Sequence, residues 1–330
     1  MPQIAQTSLV AKFKASISEK EFAQEELRKE LLEGLTAEQM KISSKFFYDS
    51  YGSTLFEWIT QLPEYYPTRT EKSIIKAYSK ALFGHLSHID LVELGSGDCS
   101  KISIVLKAIS PKHLPTIIYR PIDFSSSSIT TAKHILNDSF PKLKIEGMVA
   151  DFTQLQNLPN GQPRIICFFG STIGNFEPHQ TESLLNELSA LMNTGDQLIM
   201  GMDLVKDVGI LEAAYNDSQR ITEAFNKNIL RSCNNTLGTN FLIPDFEHIA
   251  FFNPSKSRIE MHLKALGDVI IKSPYFNGRI IIRKGETIHT ENSHKYNLES
   301  IHQMAHKSGL TIQNIYSDSQ NWFALVQLSK

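Results

Sequence analysis

Between about residue 72 and Lys206 the chain alternates short apolar runs with longer stretches of helical period. The runs IDLVEL (89–94), TIIYRPIDF (116–124), KIEGMVADF (144–152), RIICFFG (164–170) and DQLIMGMDL (196–204) predict strands. Between them, KSIIKAYSKALFGHL, SKISIVLKAI, SSSITTAKHILNDSF and HQTESLLNELSALM place apolar residues three and four apart and predict helices. Strands alternating with helices of this length imply βαβ units and a parallel sheet, whose ligands bind beyond the carboxyl ends of its strands. The alternation stops near Lys206. Residues 208–240 then read as helix, 246–292 as the strands FEHIAFFNP, RIEMHLKAL, DVIIK and GRIIIRKGETIHTEN, and the chain closes with a helix (LESIHQMAHKSG) and the strands TIQNIYSD and WFALVQLS. The simplest reading is an insertion within an α/β domain whose last helix and strand pair complete the sheet. That assigns 70–207 with 297–330 to the sheet domain, and 1–69 with 208–296 to a second, α+β domain.

Before the alternation lie polar and charged residues with a helical stretch, EKEFAQEELRKELLEGL (19–35), then an aromatic-rich segment from Phe46 to Glu71. Two readings of that segment stay open. Its rings are either a packed helix-turn-helix that plugs a core, or a pocket lid in which Tyr48, Tyr65 and Tyr66 present hydroxyls.

Composition narrows the function classes. With 33 Lys+Arg against 35 Asp+Glu and no basic run, the chain has no footprint for a nucleic-acid backbone. Its three cysteines, Cys99, Cys167 and Cys233, are too scattered for a disulfide framework or a paired metal motif. Cys99 reads as a passive loop residue. No segment has the apolar length of a signal peptide or a membrane span. The expectation is a cytoplasmic monomer acting on a small molecule, with no nucleic-acid or membrane partner. His302 and His306 have a metal-compatible helical spacing but read as a solvated face, so no metal is expected.

The candidate chemistry sits at strand ends. VELGSGD is a strand, a glycine turn and a helix start, where the backbone can approach a ligand closely. A dinucleotide fold prefers a third glycine where this chain has Ser100. Glu93, before the glycines, suits the cationic methionine end of S-adenosylmethionine. Asp123 ends the next strand, where a carboxylate can accept ribose hydroxyls. Asp151 and Phe152 end the third, where an acid and a ring suit adenine, and FFGSTIGNF ends the fourth, where a transferred methyl group must lie.

With FYDSYGSTLFEWITQLPEYYPTRTE, ELGSGDCSK, PIDFS, GSTIGNFEP, GMDLVKD, AYND and TENSHKY, the chain from about Phe46 onward resembles the histidine-specific methyltransferases. Those enzymes convert L-histidine to its Nα-trimethyl betaine, hercynine, the first step of ergothioneine biosynthesis. The resemblance implies a class I S-adenosylmethionine-dependent methyltransferase sheet, Rossmann-like, with an inserted α+β substrate-binding domain. It implies that Gly95, Lys101, Asp123, Asp151 and Phe152 hold the cofactor. It puts the amino acid's backbone end at Tyr65, Asn175 and Tyr215, and the reacting amine near Tyr48 as the catalytic residue. The imidazole falls to Glu291, Asn292 and Ser293, and Met261 lines the side-chain pocket or is plain core.

Overall fold

The computed structural model describes residues 24–330 apart from Asn277, and its chain divides into two compact units. The larger takes in Thr60–Ala214, Phe252–Ile259 and Asn292–Lys330. The smaller takes in the described residues up to Ile59, with Tyr215–Phe251 and Glu260–Glu291.

The larger unit is built on an eight-stranded sheet. Its strands are β1 (Ile89–Leu94), β2 (Ile117–Asp123), β3 (Lys144–Ile145), β4 (Met148–Val149), β5 (Arg164–Phe168), β6 (Gln197–Asp203), β12 (Thr311–Ser317) and β13 (Phe323–Ser329). The order is β12-β13-β6-β5-β1-β2-β3, with β4 also on β2. All pairings are parallel except those of β13, which runs antiparallel to both β6 and β12. The chain leaves β1 toward β2 and returns on its other side to β5, so the order reverses at β1, where such sheets open a ligand crevice. Successive residues of one strand enter opposite cores: Leu91, Ile165, Ile199 and Leu325 on one face, and Val92, Ile166, Met200 and Val326 on the other. Burial on both faces explains why these strands read as unbroken apolar runs. Helices α3 (Tyr66–Phe83), α4 (Ser100–Ala108) and α5 (Ser126–Ser139) cover the first face, while α6 (Pro178–Leu191) and α9 (Leu298–Lys307) cover the second. Ser125 caps α5, its hydroxyl accepting from the Ser128 N–H at 3.3 Å.

The strand predicted over 144–152 is instead two short pieces in one register on β2. Tyr119 and Asp123 accept from Glu146 N–H and Ala150 N–H on that side. Pro121, alternating between them, has no N–H to return to the ladder, and the strand lapses opposite it.

In the smaller unit, residues 24–35 form helix α1; the start of the predicted helix, 19–23, lies outside the described residues. Helix α2 (Ser50–Ile59) packs on α8 (Ile221–Leu237), with Phe47 stacked on Phe225 at 4.4 Å between ring centroids. The helix predicted over 208–240 breaks after α7 (Val208–Ala213). Arg220 there adopts φ 58°, and the Asp217 carboxylate accepts from Ile221 N–H and Thr222 N–H at 2.9 and 2.8 Å, starting α8 afresh. Strands β7 (Phe246–Asn253), β8 (Arg258–Ala265) and β11 (Thr287–His294) form a sheet in the order β11-β8-β7. Strands β9 (Val269–Ile271) and β10 (Ile280–Ile282) pair antiparallel, and Gly285 (φ 88°) separates β10 from β11 where one strand was expected. Among the described residues no helix is long and apolar enough to cross a membrane.

Candidate active site

In the larger unit β1 ends in a turn that needs glycine. Gly95 and Gly97 have φ of 77° and 48°, a region L side chains rarely adopt. Asp123, at the end of β2, organises the turn: its Oδ2 accepts from Ser96 N–H and hydroxyl at 3.2 and 3.3 Å, and its Oδ1 from Ser125 N–H at 2.9 Å. A carboxylate offers about four acceptor positions, so three loop donors leave room for a ligand hydroxyl. Phe152 faces the same turn; a Cβ built on Gly95 would lie 3.9 Å from its ring, while one on Gly97 would meet nothing within 4 Å. Phe152 is itself held edge-on by Phe168, 5.4 Å away. Asp151 caps the turn beside it, accepting from Thr153 N–H and hydroxyl at 2.9 and 2.6 Å. An open, positive-φ glycine turn flanked by a ring and two strand-end acids fits S-adenosylmethionine.

Glu93 lies on β1, one residue before its end. It is buried beneath the turn and accepts the Tyr119 hydroxyl. Burial pushes its carboxyl up to about 8, against the lowering effects of Tyr119 and Lys101. Cys99, pushed up to about 12 by burial and then by Glu93, Asp98 and Asp123, is an unreactive thiol, as expected of a passive loop residue.

Lys101, on the first turn of α4, forms an ion pair with Glu71 at 2.7 Å. Glu71 is fully buried on α3 and also accepts from Gly170 N–H at 2.8 and 3.0 Å. It thus joins the first turn of α4 to the loop after β5. Sequence reading left Glu71 without a role, although it falls on the apolar stripe of α3 with Ile74, Ile75 and Leu82. A charge on such a stripe is the signal that could have found it.

The predicted amino-acid contacts of this unit lie on several elements. Tyr65, half-buried, precedes α3, and Asn175 ends the 3₁₀ turn Thr172–Asn175 that follows β5. That turn packs tightly, a Cβ on Gly174 lying 2.9 Å from the His294 carbonyl oxygen. Asn292 donates its amide to Glu177 at 3.0 Å, and Glu177 is also held by Arg258 through two 2.9 Å contacts. The Asn292 Oδ1 is left buried with no partner among the described residues. The Ser293 hydroxyl accepts from Lys295 Nζ at 2.7 Å, and Lys295, wholly buried, pairs with Asp203 at 2.8 Å. Asp203 also accepts from the Tyr66 hydroxyl at 2.7 Å and from Lys206 at 2.6 Å. Burial works to raise the Asp203 carboxyl, but Lys295 and Lys206 outweigh it and hold it below the usual range. None of Lys295, Asp203 and Lys206 was assigned a role from sequence, though all lie in the motifs TENSHKY and GMDLVKD.

In the smaller unit the structure brings Tyr48, Tyr215 and Glu291 together. Burial first, then the Glu291 carboxylate and Tyr215, drive the Tyr48 hydroxyl far above the ordinary tyrosine value. Tyr48 is therefore a neutral phenol, able to donate or accept a hydrogen bond but not to act as a phenolate base. Its ring is set edge-on against Phe56 and Phe225 at 5.7 and 5.8 Å. The Tyr215 carbonyl accepts from His248 Nε2 at 2.9 Å, which leaves Nδ1 to accept from Asn226 at 2.8 Å. Met261 is 1% exposed on β8, and its carbonyl accepts from Thr290 at 3.0 Å. It is a core residue by burial. The thirteen predicted residues thus divide: Tyr48, Tyr215, Met261 and Glu291 fall in the smaller unit, and the other nine in the larger.

Comparison with known proteins follows the same lines. Residues 27–330 match the family described as histidine-specific methyltransferase, SAM-dependent. The histidine N-alpha-methyltransferase of Mycolicibacterium smegmatis is 35% identical, over 92% of this chain and 94% of that protein. Its namesake in Mycobacterium tuberculosis is 33% identical, over 92% of this chain and 95% of that protein. The ergothioneine biosynthesis protein 1 of Schizosaccharomyces pombe is 29% identical over 72% of this chain, which spans 32% of that longer protein. The sheet order, with its reversal at β1 and its antiparallel β13, is that of a class I methyltransferase. The chain belongs to the histidine-specific, S-adenosylmethionine-dependent methyltransferase family and is an N-methyltransferase.

Proposed function

We propose that the chain methylates the α-amine of free L-histidine, carrying it to the trimethyl betaine hercynine as the first step of ergothioneine biosynthesis. The observation that carries this reading is the grouping of Glu291 with the hydroxyls of Tyr48 and Tyr215. An imidazole N–H needs an acceptor, and a carboxylate supplies a charge-assisted one. Tyr48 offers a neutral hydroxyl to a zwitterion, and Tyr215 brings a second hydroxyl beside it. Aromatic walls also suit an amine that becomes a fixed cation, through the attraction of ring faces for positive charge.

S-Adenosylmethionine, when bound, would supply an electrophilic methyl group to the amine in its unprotonated form, the ammonium's proton passing to solvent and the sulfonium leaving as a neutral thioether. In this reading Gly95 and Gly97 let the backbone approach it, Asp123 and Asp151 accept its ribose and adenine hydrogens, and Phe152 packs on the adenine. Lys101 acts through Glu71, holding the loop after β5 in place. The rest of the rate enhancement is orientation, since the neutral Tyr48 positions the amine and removes no proton.

The test offers the purified protein all twenty amino acids with S-adenosylmethionine and reads methyl gain by mass. L-Histidine should gain three methyl groups and the others none. Methylation of another amino acid, with histidine unchanged, would refute the assignment. Glu291→Gln should raise the KM for histidine more than about tenfold while leaving cofactor affinity within about twofold, because a charge-assisted hydrogen bond contributes about 1.5–3 kcal/mol. Equal loss of both would point to a folding defect instead.

A further inference from the structure

On the β8 and β11 strands of the smaller unit, Glu260, His262 and His289 gather one carboxylate and two imidazoles, with a ligand atom from each lying within 4.8 Å of the others. Glu260 and His262 alternate on β8 and so share a face, and Glu260 and His262 are 7% and 9% exposed. The His262 Nε2 lies 3.3 Å from Glu260 Oε2. The His289 ring stacks on His262 with centroids 4.6 Å apart and planes 14° from parallel, and Phe251 stacks on the far side of His262 at 5.5 Å.

We propose that Glu260, His262 and His289 form a binding site for a divalent transition-metal ion of the zinc class. The donor set, two imidazoles and one carboxylate, suits a borderline cation, which such sites hold while keeping a coordination position open. The orientation of His289 also suits a ligand. Its Nε2 lies 3.0 Å from the Glu291 carbonyl oxygen, which can only accept, so Nε2 carries the proton. Metal-bound histidines are commonly held in this way, with the second ring nitrogen donating to a carbonyl.

The backbone behind the cluster is fixed on both sides. Asn226 donates to the His262 carbonyl at 3.1 Å, and Thr290 bonds both Asn226 and the Met261 carbonyl. Beyond His289, Ile42 N–H donates to its carbonyl at 2.9 Å, and its own N–H donates to Met40 at 2.8 Å. Ligands at about 2.0–2.2 Å from an ion stand roughly 3.4 Å from one another. Closing the set from 4.8 Å asks for a shift of about 1.4 Å together with a turn of the stacked His262 and His289 rings that brings both ring planes onto one ion. Because His289 is bonded to the Glu291 backbone, an ion held there would also fix the strand segment that carries Glu291.

The test uses untagged full-length protein, stripped with chelator and kept free of L-histidine, which itself binds zinc. Zinc chloride is titrated by calorimetry into the wild type, His289→Ala, Glu260→Gln and the double variant His302→Ala/His306→Ala. The double variant removes the exposed imidazole pair on α9, the competing adventitious site. The expected result is one zinc per chain, weakened more than about tenfold by His289→Ala and by Glu260→Gln and unchanged in the double variant. Absence of zinc binding, loss in the double variant, or unchanged affinity in both cluster variants would each overturn the proposal. Circular dichroism checks that the variants fold. Should either fail, X-ray absorption of the zinc-loaded wild type decides: two imidazoles and a carboxylate support the site, and any other ligand set sinks it.

Discussion

Gly201 offers a sharp probe of how the larger unit holds its loops. It lies on β6, hydrogen-bonded between β5 and β13, so its backbone has no room to retreat. A Cβ placed there would stand 2.0 Å from Glu71 Oε1, 3.0 Å from its Cδ and 3.1 Å from the Phe323 ring. Restoring an ordinary contact of 3.4 Å requires the carboxylate to move 3.4 − 2.0 = 1.4 Å. Its bonds to Lys101 at 2.7 Å and Gly170 at 2.8 and 3.0 Å do not survive such a shift intact. Overpacking a tight core costs about 1–3 kcal/mol. A forfeited hydrogen bond to a charged group adds about 1.5–3 kcal/mol. Gly201→Ala should therefore destabilise the protein by about 2.5–6 kcal/mol, read as a lower urea midpoint. Gly267→Ala, where an added Cβ meets nothing within 4 Å, is the control and should stay within about 0.5 kcal/mol of wild type. The decisive measurement is the double-mutant cycle with Glu71→Ala. Once the carboxylate is gone, the added methyl group has nothing to strike there, and the two costs should fall well short of additive. Full additivity, or a Gly201→Ala cost below about 1 kcal/mol, would mean that Glu71 is not the residue that glycine makes room for.

Two further outcomes follow from buried charge. Asp196 accepts from Arg164 N–H at 2.9 Å, from its guanidinium at 2.8 and 2.5 Å, and from Asn193 N–H at 2.7 Å, with both side chains 2% exposed. Asp196→Ala leaves that guanidinium buried without its counter-ion and should cost about 3–5 kcal/mol; a urea midpoint near the wild-type value would refute this. His294 is lowered to about 4 by burial and by Arg258, so the folded protein refuses a proton that the unfolded chain takes up near its ordinary value of 6.5. Its contribution to stability is thus present above pH 6.5 and is lost as pH falls toward 4. His294→Gln should flatten the stability profile across that window, and a variant that follows the wild-type slope there would exclude His294 as its source.

Most of the fold was legible because the two faces of the sheet are both buried. Leu91 and Val92 feed different cores, so IDLVEL shows as an uninterrupted apolar run that no surface strand would give. Where sequence reading missed, a local backbone requirement had overridden the apolar pattern. Pro121 withholds an N–H and splits the strand beside β2, Gly285 takes a positive φ and separates β10 from β11, and Asp217 recaps a helix that periodicity alone would continue.

The site was legible in a different way. Residues proposed to meet a ligand sit in motifs, and motifs can be compared; Gly95, Asp123 and Glu291 were proposed in that manner. Residues that hold those residues cannot be, because their partners are remote in the chain. Glu71 lies 99 positions from Gly170, and Tyr66 lies 137 from Asp203. Both were visible only as anomalies: an acid on the apolar stripe of α3, and a tyrosine whose hydroxyl had to end somewhere inside. The Lys295, Asp203 and Lys206 cluster is the strongest case, since burying two ammonium groups is costly unless a carboxylate and further acceptors meet them. Burial holds Lys206 down to about 8 even beside Asp203. A fold that buries Lys295 of this cluster against Ser293 is holding a hydroxyl in a fixed orientation, and apolar packing alone would not do that.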